Sequence, residues 1–141
     1  MIYSEVHEDL FKNKDDYYLA HCISKDFGLG AGIAKEFNKQ YGMRKKLFDA
    51  RENGNIQFPK AVLIDNVFNL ITKEKYYGKP TYDSLTKSLY EMKEQIIEKK
   101  ITKLAMPKIG CGLDRLKWNK VSVIIQTVFN DLDIEIKICY I

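Results

Sequence analysis

The chain has 141 residues, a net charge of +4 and 45% hydrophobic residues. This length suits one domain over residues 1–141, and the hydrophobic content excludes a disordered chain. The mild positive charge suits an anionic ligand or a nucleic acid without requiring either one.

Strands and helices are predicted to interleave along the chain. In chain order, we expect strands at 1–6 and 17–22, helices at 33–41 and 44–52, strands at 61–65 and 67–72, a helix beginning at Thr81, a strand at 101–106, a helix at 118–132 and a strand at 134–141. Residues 7–16 are polar and turn-like. The interleaving predicts an α/β fold with helices on both faces of a sheet.

The helix ends carry recognisable signals. Gly42 is expected to end the first helix, and Asn53-Gly54 the second. Thr81 is the expected N-cap of the third helix, with Asp83 in its first turn and Lys99-Lys100 at its C-terminal end. Apolar residues at helical spacing in the last two helices mark core faces rather than a cofactor site: Leu85, Leu89, Met92, Ile96, Val121, Ile124, Ile125, Val128 and Phe129.

Two glycine-rich loops, 28–34 and 107–114, are the most informative feature. Each follows a short apolar strand and precedes a predicted helix, so backbone N–H groups in both can face an anion, usually phosphate. Two such loops suggest a ligand with two phosphates, or one phosphate held from both sides. The alternative is that both glycine loops serve only tight turns. Neither loop fits a dinucleotide fingerprint: counted from Gly28 it would need glycine in place of Ile33, and counted from Gly110 it would need glycine in place of Arg115. No P-loop sequence follows either loop.

Three charged residues lie where a ligand can meet them: Asp9 after the first strand, Lys73 at a strand end, and Asp114 at the end of the second glycine loop. A carboxylate there suits ribose binding or proton transfer, and a lysine with a buried stem suits nucleophilic attack. The alternative for each is an ordinary surface charge paired with its neighbours. Cys111, between two glycines, is interpreted as a small residue in a tight loop rather than as a nucleophile.

Other classes of site find no support in the sequence. The three cysteines are odd in number and form no Cys-x-x-Cys pair, so we expect a reducing, cytoplasmic setting. The two histidines lie in no zinc-binding pattern, and we expect neither metal nor cofactor. No apolar run reaches the roughly 18 residues of a membrane span, so no membrane partner is expected.

Three separated blocks carry a resemblance that runs nearly end to end. Residues 19–24 with 30–34, residues 70–73 with 79–82, and residues 106–116 with Trp118 resemble the macrodomain called terminal ADP-ribose protein glycohydrolase, of the ALC1-like type. The resemblance implies a single macrodomain, with a mixed sheet of about six strands between helices. It also explains the absent fingerprints, because a macrodomain cradles a diphosphate between two loops with its own glycine pattern.

The resemblance assigns roles to individual residues. Lys73 attacks the anomeric carbon of the distal ribose, the linked carboxylate leaves, and Asp114 assists proton transfer and resolves the lysyl–ADP-ribose intermediate. Asp9 binds the adenine amino group, with Leu10 beside it. The remaining implied ADP-ribose-binding residues belong to the two loops and their neighbours: Ser24, Gly30, Ala31, Gly32, Ile33, Thr72, Pro107, Ile109, Gly110, Cys111, Gly112, Leu113 and Tyr140.

Two departures from related patterns bear on mechanism. MacroD-type hydrolases carry an Asn-Ala-Ala-Asn-like segment where this chain has residues 21–24, which disfavours their water-activating mechanism. The family often ends with an aromatic residue that covers the adenine, and Cys139 stands there. Either the next residue, Tyr140, takes over that role, or adenine is held less tightly.

The implied function is removal of ADP-ribose ester-linked to glutamate or aspartate of a protein, with deacylation of O-acetyl-ADP-ribose as a related activity. The partners are ADP-ribose and mono-ADP-ribosylated protein, and a monomer is expected. Two alternatives stay open. One is a reader that binds ADP-ribose without chemistry, and the other is a repair enzyme that removes ADP-ribose from DNA bases, as in toxin–antitoxin macrodomains.

Overall fold

Six strands form one mixed sheet within the residues that the structure, a computed structural model, describes: 1–52 and 58–141, without the side chain of Glu52. The strands, in chain order, are β1 Ile2–His7, β2 Tyr18–Ser24, β3 Lys60–Ile64, β4 Val67–Lys73, β5 Lys103–Met106 and β6 Glu135–Tyr140. Their order across the sheet is β1-β6-β5-β2-β4-β3, and only the β3–β4 pair is antiparallel. The predicted mixed six-stranded sheet is confirmed.

Helices cover both faces of this sheet, as predicted. The α-helices of the described residues are α1 Gly32–Tyr41, α2 Met43–Glu52, α3 Tyr82–Lys99 and α4 Trp118–Phe129. In β4, Phe68 and Leu70 belong to the core that includes α3 and α4, whereas Val67 and Ile71 belong to the core that includes α1 and α2. Because side chains alternate along a strand, one apolar strand supplies both cores. No described helix is long and apolar enough to cross a bilayer.

The helix signals hold where the structure describes them. Gly42 is left-handed, with φ of 61°, and its N–H donates to the Asn38 carbonyl at 2.9 Å. Thr81 caps α3 in a reciprocal capping box with Ser84. Lys100 ends α3 in a left-handed conformation, with φ of 56°. The predicted stop at 53–54 lies outside the described residues.

Two predicted segments differ from the structure. The stretch 7–16 was expected to be turn-like, but it contains a 3₁₀ helix at Leu10–Asn13 whose first two side chains are buried in the core. Asp9 caps this helix. This helix escaped the sequence analysis because the residues around it are mostly polar. The last helix ends at Phe129 instead of residue 132, because Asn and Asp at 130, 131 and 133 are poor helix formers. Ile124, expected inside, is only partly buried.

The sheet topology brings both glycine loops and Lys73 to one edge of the sheet. Strands β2, β4, β5 and β6 are parallel neighbours, so their carboxyl ends meet at the same edge. The first glycine loop follows β2, Lys73 ends β4, and the second glycine loop follows β5. Ligands of open α/β sheets bind at this kind of edge, which makes it the place to look for a site.

Candidate active site

A cavity of about 620 Å³, here called the first cavity, opens at this edge between the two glycine loops. Both loops and both candidate reacting residues line it. The predicted binding residues in its wall are Ser24, Gly30, Ala31, Gly32, Ile33, Pro107, Ile109, Gly110, Cys111, Gly112 and Leu113. The structure therefore brings together residues from three distant parts of the chain. Thr72 is buried and lies outside the described linings of both cavities.

Lys73 and Asp114 meet inside the first cavity. Lys73 Nζ lies 2.6 Å from Asp114 Oδ1, and their side chains are 13% and 15% exposed. At this distance, the carboxylate can accept a proton from the lysine, and the lysine can then act as a nucleophile. The two residues whose chemistry the sequence singled out therefore form a direct pair.

The second glycine loop holds Asp114 in place. Gly110 has a φ of 72°, a conformation that L side chains rarely adopt, and a Cβ there would lie 3.0 Å from Leu116 Cδ1. The N–H of Leu116 donates back to the Gly110 carbonyl at 2.7 Å and closes the loop. Glycine at 110 is thus required by the turn that presents Asp114 to Lys73.

The first glycine loop places a helix N-terminus against the same cavity. Gly32 begins α1, and Ala31 before it is an extended N-cap that makes no side-chain capping bond. The first N–H groups of a helix lack partners within the helix and attract anions. The arrangement suits the phosphate that the glycine pattern predicts.

Asp26, which the sequence analysis missed, ties the walls of the first cavity together. Ser24 Oγ donates to Asp26 Oδ1, and the N–H of Tyr76 donates to Oδ2 at 3.1 Å. Tyr76 in turn packs on Gly28 so closely that a Cβ at 28 would lie 2.8 Å from the Tyr76 Cβ. Burial acts to raise the pKa of Asp26, but these hydrogen bonds outweigh it and lower the pKa overall. The contact with Tyr76, 50 residues away in the chain, distinguishes Asp26 from other surface aspartates.

A second cavity, of about 430 Å³, lies next to the first one. Ile33, Pro107 and Lys108 line both cavities, so a ligand can extend through them. Asp9 and Leu10, the residues predicted beside the adenine, line the second cavity. Asp9 already accepts the Phe11 N–H through Oδ1 at 3.0 Å, as the cap of the 3₁₀ helix. Its other carboxylate oxygen remains for a ligand.

Cys139 and Tyr140 both line the second cavity, but they differ in direction. Cys139 is buried in the core beside α1, and strand alternation turns the Tyr140 side chain to the opposite face. The Tyr140 ring lies 5.5 Å from the His7 ring, and Lys108 Nζ lies 4.5 Å from its centroid. In this conformation the ring is engaged by those neighbours, so covering a ligand would require it to turn.

The cysteines and His21 serve the structure. Burial, followed by the charge of Asp114, raises the pKa of Cys22 to about 12, and burial raises the pKa of Cys111. Both thiols stay protonated at neutral pH, which agrees with a structural role for Cys111. His21 Nε2 donates to Asn69 Oδ1 at 2.6 Å, and burial lowers its pKa to about 4, so it is a neutral core residue. Within the described residues, no group of three metal-ligating side chains is found.

Comparisons with known proteins agree with this architecture. A family model described as "Macro domain" matches residues 20–125. Human ADP-ribose glycohydrolase OARD1 is 43% identical over 134 residues, which cover 92% of this chain and 86% of that protein. The macrodomain of Mycobacterium tuberculosis DarG superposes with a TM-score of 0.88 at 22% identity, covering 98% of this chain and 97% of that one. The structure described as Thermosipho africanus DarTG in complex with ADP-ribose has a TM-score of 0.84 at 20% identity, covering 98% of this chain and 41% of that one.

The family match spans most of the chain, and the human relative spans nearly all of it. The solved structures share the fold over almost the whole chain. The macrodomain predicted from three sequence blocks is confirmed, and this chain belongs to the macro domain family.

Proposed function

We propose that this protein is an ADP-ribose hydrolase, one that releases ADP-ribose from the glutamate or aspartate side chain of a modified protein. The observation that carries the proposal is the Lys73–Asp114 pair, 2.6 Å apart in a cavity between two glycine loops. The human relative, 43% identical, is named an ADP-ribose glycohydrolase. The pair also favours the lysine-centred mechanism that the resemblance to the ALC1-like, terminal type implies.

The two cavities suggest how the ligand lies. The adenosine occupies the second cavity, where Asp9 accepts a hydrogen bond from the adenine amino group and Leu10 packs beside it. The diphosphate lies between the glycine loops, against the N-terminus of α1. The distal ribose then reaches Lys73 and Asp114, because they line the first cavity and not the second.

In the first step, Asp114 takes a proton from Lys73. The amine attacks the anomeric carbon of the distal ribose, so a carbon–nitrogen bond forms. The carbon–oxygen bond to the acceptor breaks, and its electron pair leaves with the carboxylate. The products of this step are the free glutamate or aspartate side chain and a lysyl–ADP-ribose intermediate.

In the second step, water resolves the intermediate. Asp114 first releases to solvent the proton that it took from Lys73. It then takes a proton from the water, whose oxygen bonds to the anomeric carbon, while the bond to Lys73 breaks and its electron pair stays on the nitrogen. Asp114 returns the proton to this amine, so that one turnover releases one proton. Free ADP-ribose leaves and the Lys73–Asp114 pair re-forms. O-acetyl-ADP-ribose carries a similar ester and is a second candidate substrate of the same site.

The test is release of free ADP-ribose from a glutamate-mono-ADP-ribosylated protein. We expect the wild type to release it and Lys73→Ala to lose activity by about 10⁶-fold, the scale for removal of a covalent nucleophile. Lys75→Ala is the matched control, since Lys75 is an exposed neighbour on the same segment, and it should keep full activity.

Other outcomes would identify the alternatives. Release from ADP-ribosylated DNA alone would make the protein a DNA ADP-ribosyl glycohydrolase. Binding of ADP-ribose by calorimetry without release from any substrate would make it a reader, and in that case the proposed hydrolase is rejected.

A further inference from the structure

A second lysine contacts the loop that carries Asp114. Lys79 Nζ donates to the Leu113 carbonyl at 2.6 Å, and Leu113 directly precedes Asp114. Both lysines line the first cavity, and they contact consecutive residues of one loop. The mechanism above uses Lys73 and leaves Lys79 without a role.

The linings of the two cavities indicate where the acceptor lies relative to Lys79. The connection to the second cavity runs past Ile33, Pro107 and Lys108, which line both cavities. Lys73, Lys79 and Asp114 line the first cavity alone. With adenosine in the second cavity, the distal ribose and the group attached to it lie in the first cavity, whose wall includes Lys79.

The charge of Lys79 is available to a ligand. The described residues give Lys73 a carboxylate partner, but they give Lys79 only the neutral Leu113 carbonyl. An ammonium group has three N–H donors, so two remain after this bond. Lys79 is exposed, so an anion at the mouth of the first cavity can reach it without displacing a buried ion pair.

The residues that follow Lys79 restrict the conformation of its backbone. The next residue is a buried proline, which restricts the conformation of the residue before it. Thr81 then caps α3 through its capping box with Ser84. The base of the side chain is thus anchored at the start of α3, while its exposed ammonium can change partner.

We propose that Lys79 is a further catalytic residue, one that binds the departing carboxylate; this inference rests on the proposed function. As the carbon–oxygen bond to the distal ribose breaks, its electron pair moves onto the carboxylate oxygen. Lys79 donates a hydrogen bond to that oxygen and keeps its own proton. The proton from Lys73 goes to Asp114, so the step balances without any co-reactant. Lys79 accordingly favours esters, whose leaving group is an anion.

The test separates the two steps of one turnover. On a glutamate-mono-ADP-ribosylated peptide, release of the unmodified peptide reports the first step, and decay of the enzyme adduct, followed by mass spectrometry, reports the second. We expect Lys79→Gln to slow the first step about 10-fold, below the ~10²–10³-fold cost of losing a buried oxyanion donor, because Lys79 is exposed to solvent. Adduct decay should be unchanged, since the carboxylate has already left.

Matched variants exclude a merely structural effect. Lys79→Arg keeps the charge and should retain the first-step rate within about threefold of the wild type. Lys75→Gln removes a charge from the same exposed segment and should have no effect. The affinity for free ADP-ribose should be the same in all three variants, because free ADP-ribose carries no leaving carboxylate.

Four results would overturn the proposal. If Lys79→Gln matches Lys75→Gln while Lys73→Ala is inactive, Lys79 has no part in the reaction and the proposed hydrolase stands. Equal slowing of both steps, or failure of Lys79→Arg to restore the rate, would also reject it. If Lys73→Ala keeps its activity, the proposed function and this inference both fail.

Discussion

The first and second cavities differ in how their charged side chains are held. In the first cavity two side chains of opposite charge form an ion pair, whereas in the second a carboxylate accepts a hydrogen bond from a backbone N–H. Lys73 Nζ and Asp114 Oδ1 lie 2.6 Å apart, and they come from β4 and from the loop after β5. In the second cavity, Asp9 Oδ1 accepts the Phe11 N–H at 3.0 Å from within its own helix. The first contact is between distant residues and the second is local, so substitutions at the two ends should differ in what they change.

After Lys73→Ala, the largest effect is expected for Asp114→Ala. We expect ADP-ribose release to fall about 10³-fold, since the general acid and base is lost while the lysine nucleophile remains. An adduct with the mass of one ADP-ribose unit should accumulate on Lys73. Intact-protein mass spectrometry followed by peptide mapping would detect it. Lys73→Ala is the control and forms no adduct, and an adduct on another residue would contradict the assignment of the nucleophile.

An intermediate effect is expected at Asp9. Asn caps a helix as well as Asp does, so Asp9→Asn should keep the melting temperature while weakening ADP-ribose binding about tenfold. Asp9→Ala loses the cap too, at about 1 kcal/mol of unfolding free energy. Calorimetric affinity and thermal melting of both variants separate the two roles. Equal affinity in Asp9→Asn and the wild type would remove Asp9 from the binding site.

The smallest effect is expected at Asp26, which anchors the wall near the catalytic end. Its pKa is lowered from 3.8 in the folded protein, so its stabilising contribution is present above that value and is lost as pH falls through the folded pKa. The wild type should melt about 2–4 °C above Asp26→Asn near neutral pH. The gap should close as the pH falls below 3.8 and through the lowered pKa of Asp26 in the folded protein. Glu74→Gln, an exposed change on the neighbouring segment, is the control. A gap that persists at low pH would show that the carboxylate charge is not the stabilising feature.

Much of the fold could be predicted because its signals are local. Thr81, Gly42 and the apolar stripe of α3 each act over one or two helical turns, and all three hold in the structure. The 3₁₀ helix at Leu10–Asn13 escaped prediction, because a segment of four residues is too short for helical periodicity to register.

The candidate site likewise has residues that local sequence patterns predict and residues that they do not. The glycine loops and Lys73 at a strand end are visible in the sequence, since a strand followed by a glycine turn is a local pattern. Asp26 is not visible, because its contact with Tyr76, 50 residues away in the chain, forms only after β2 and β4 have paired. The role proposed for Lys79 was not visible in the sequence either, because its contact with Leu113 spans 34 residues of the chain.

The amino-acid sequence by itself determined the order of strands and helices, the positions of both glycine loops and the choice of Lys73 and Asp114 as the residues proposed to react. The tertiary structure decided that Lys73 and Asp114 touch, that the two cavities share three lining residues, that Tyr76 contacts Asp26 and that Lys79 contacts Leu113. The physical reason is the distance along the chain over which each interaction acts. Propensity, capping and turn conformation act between neighbours in the chain, whereas these contacts depend on which strands pair side by side and on the left-handed turn at Gly110.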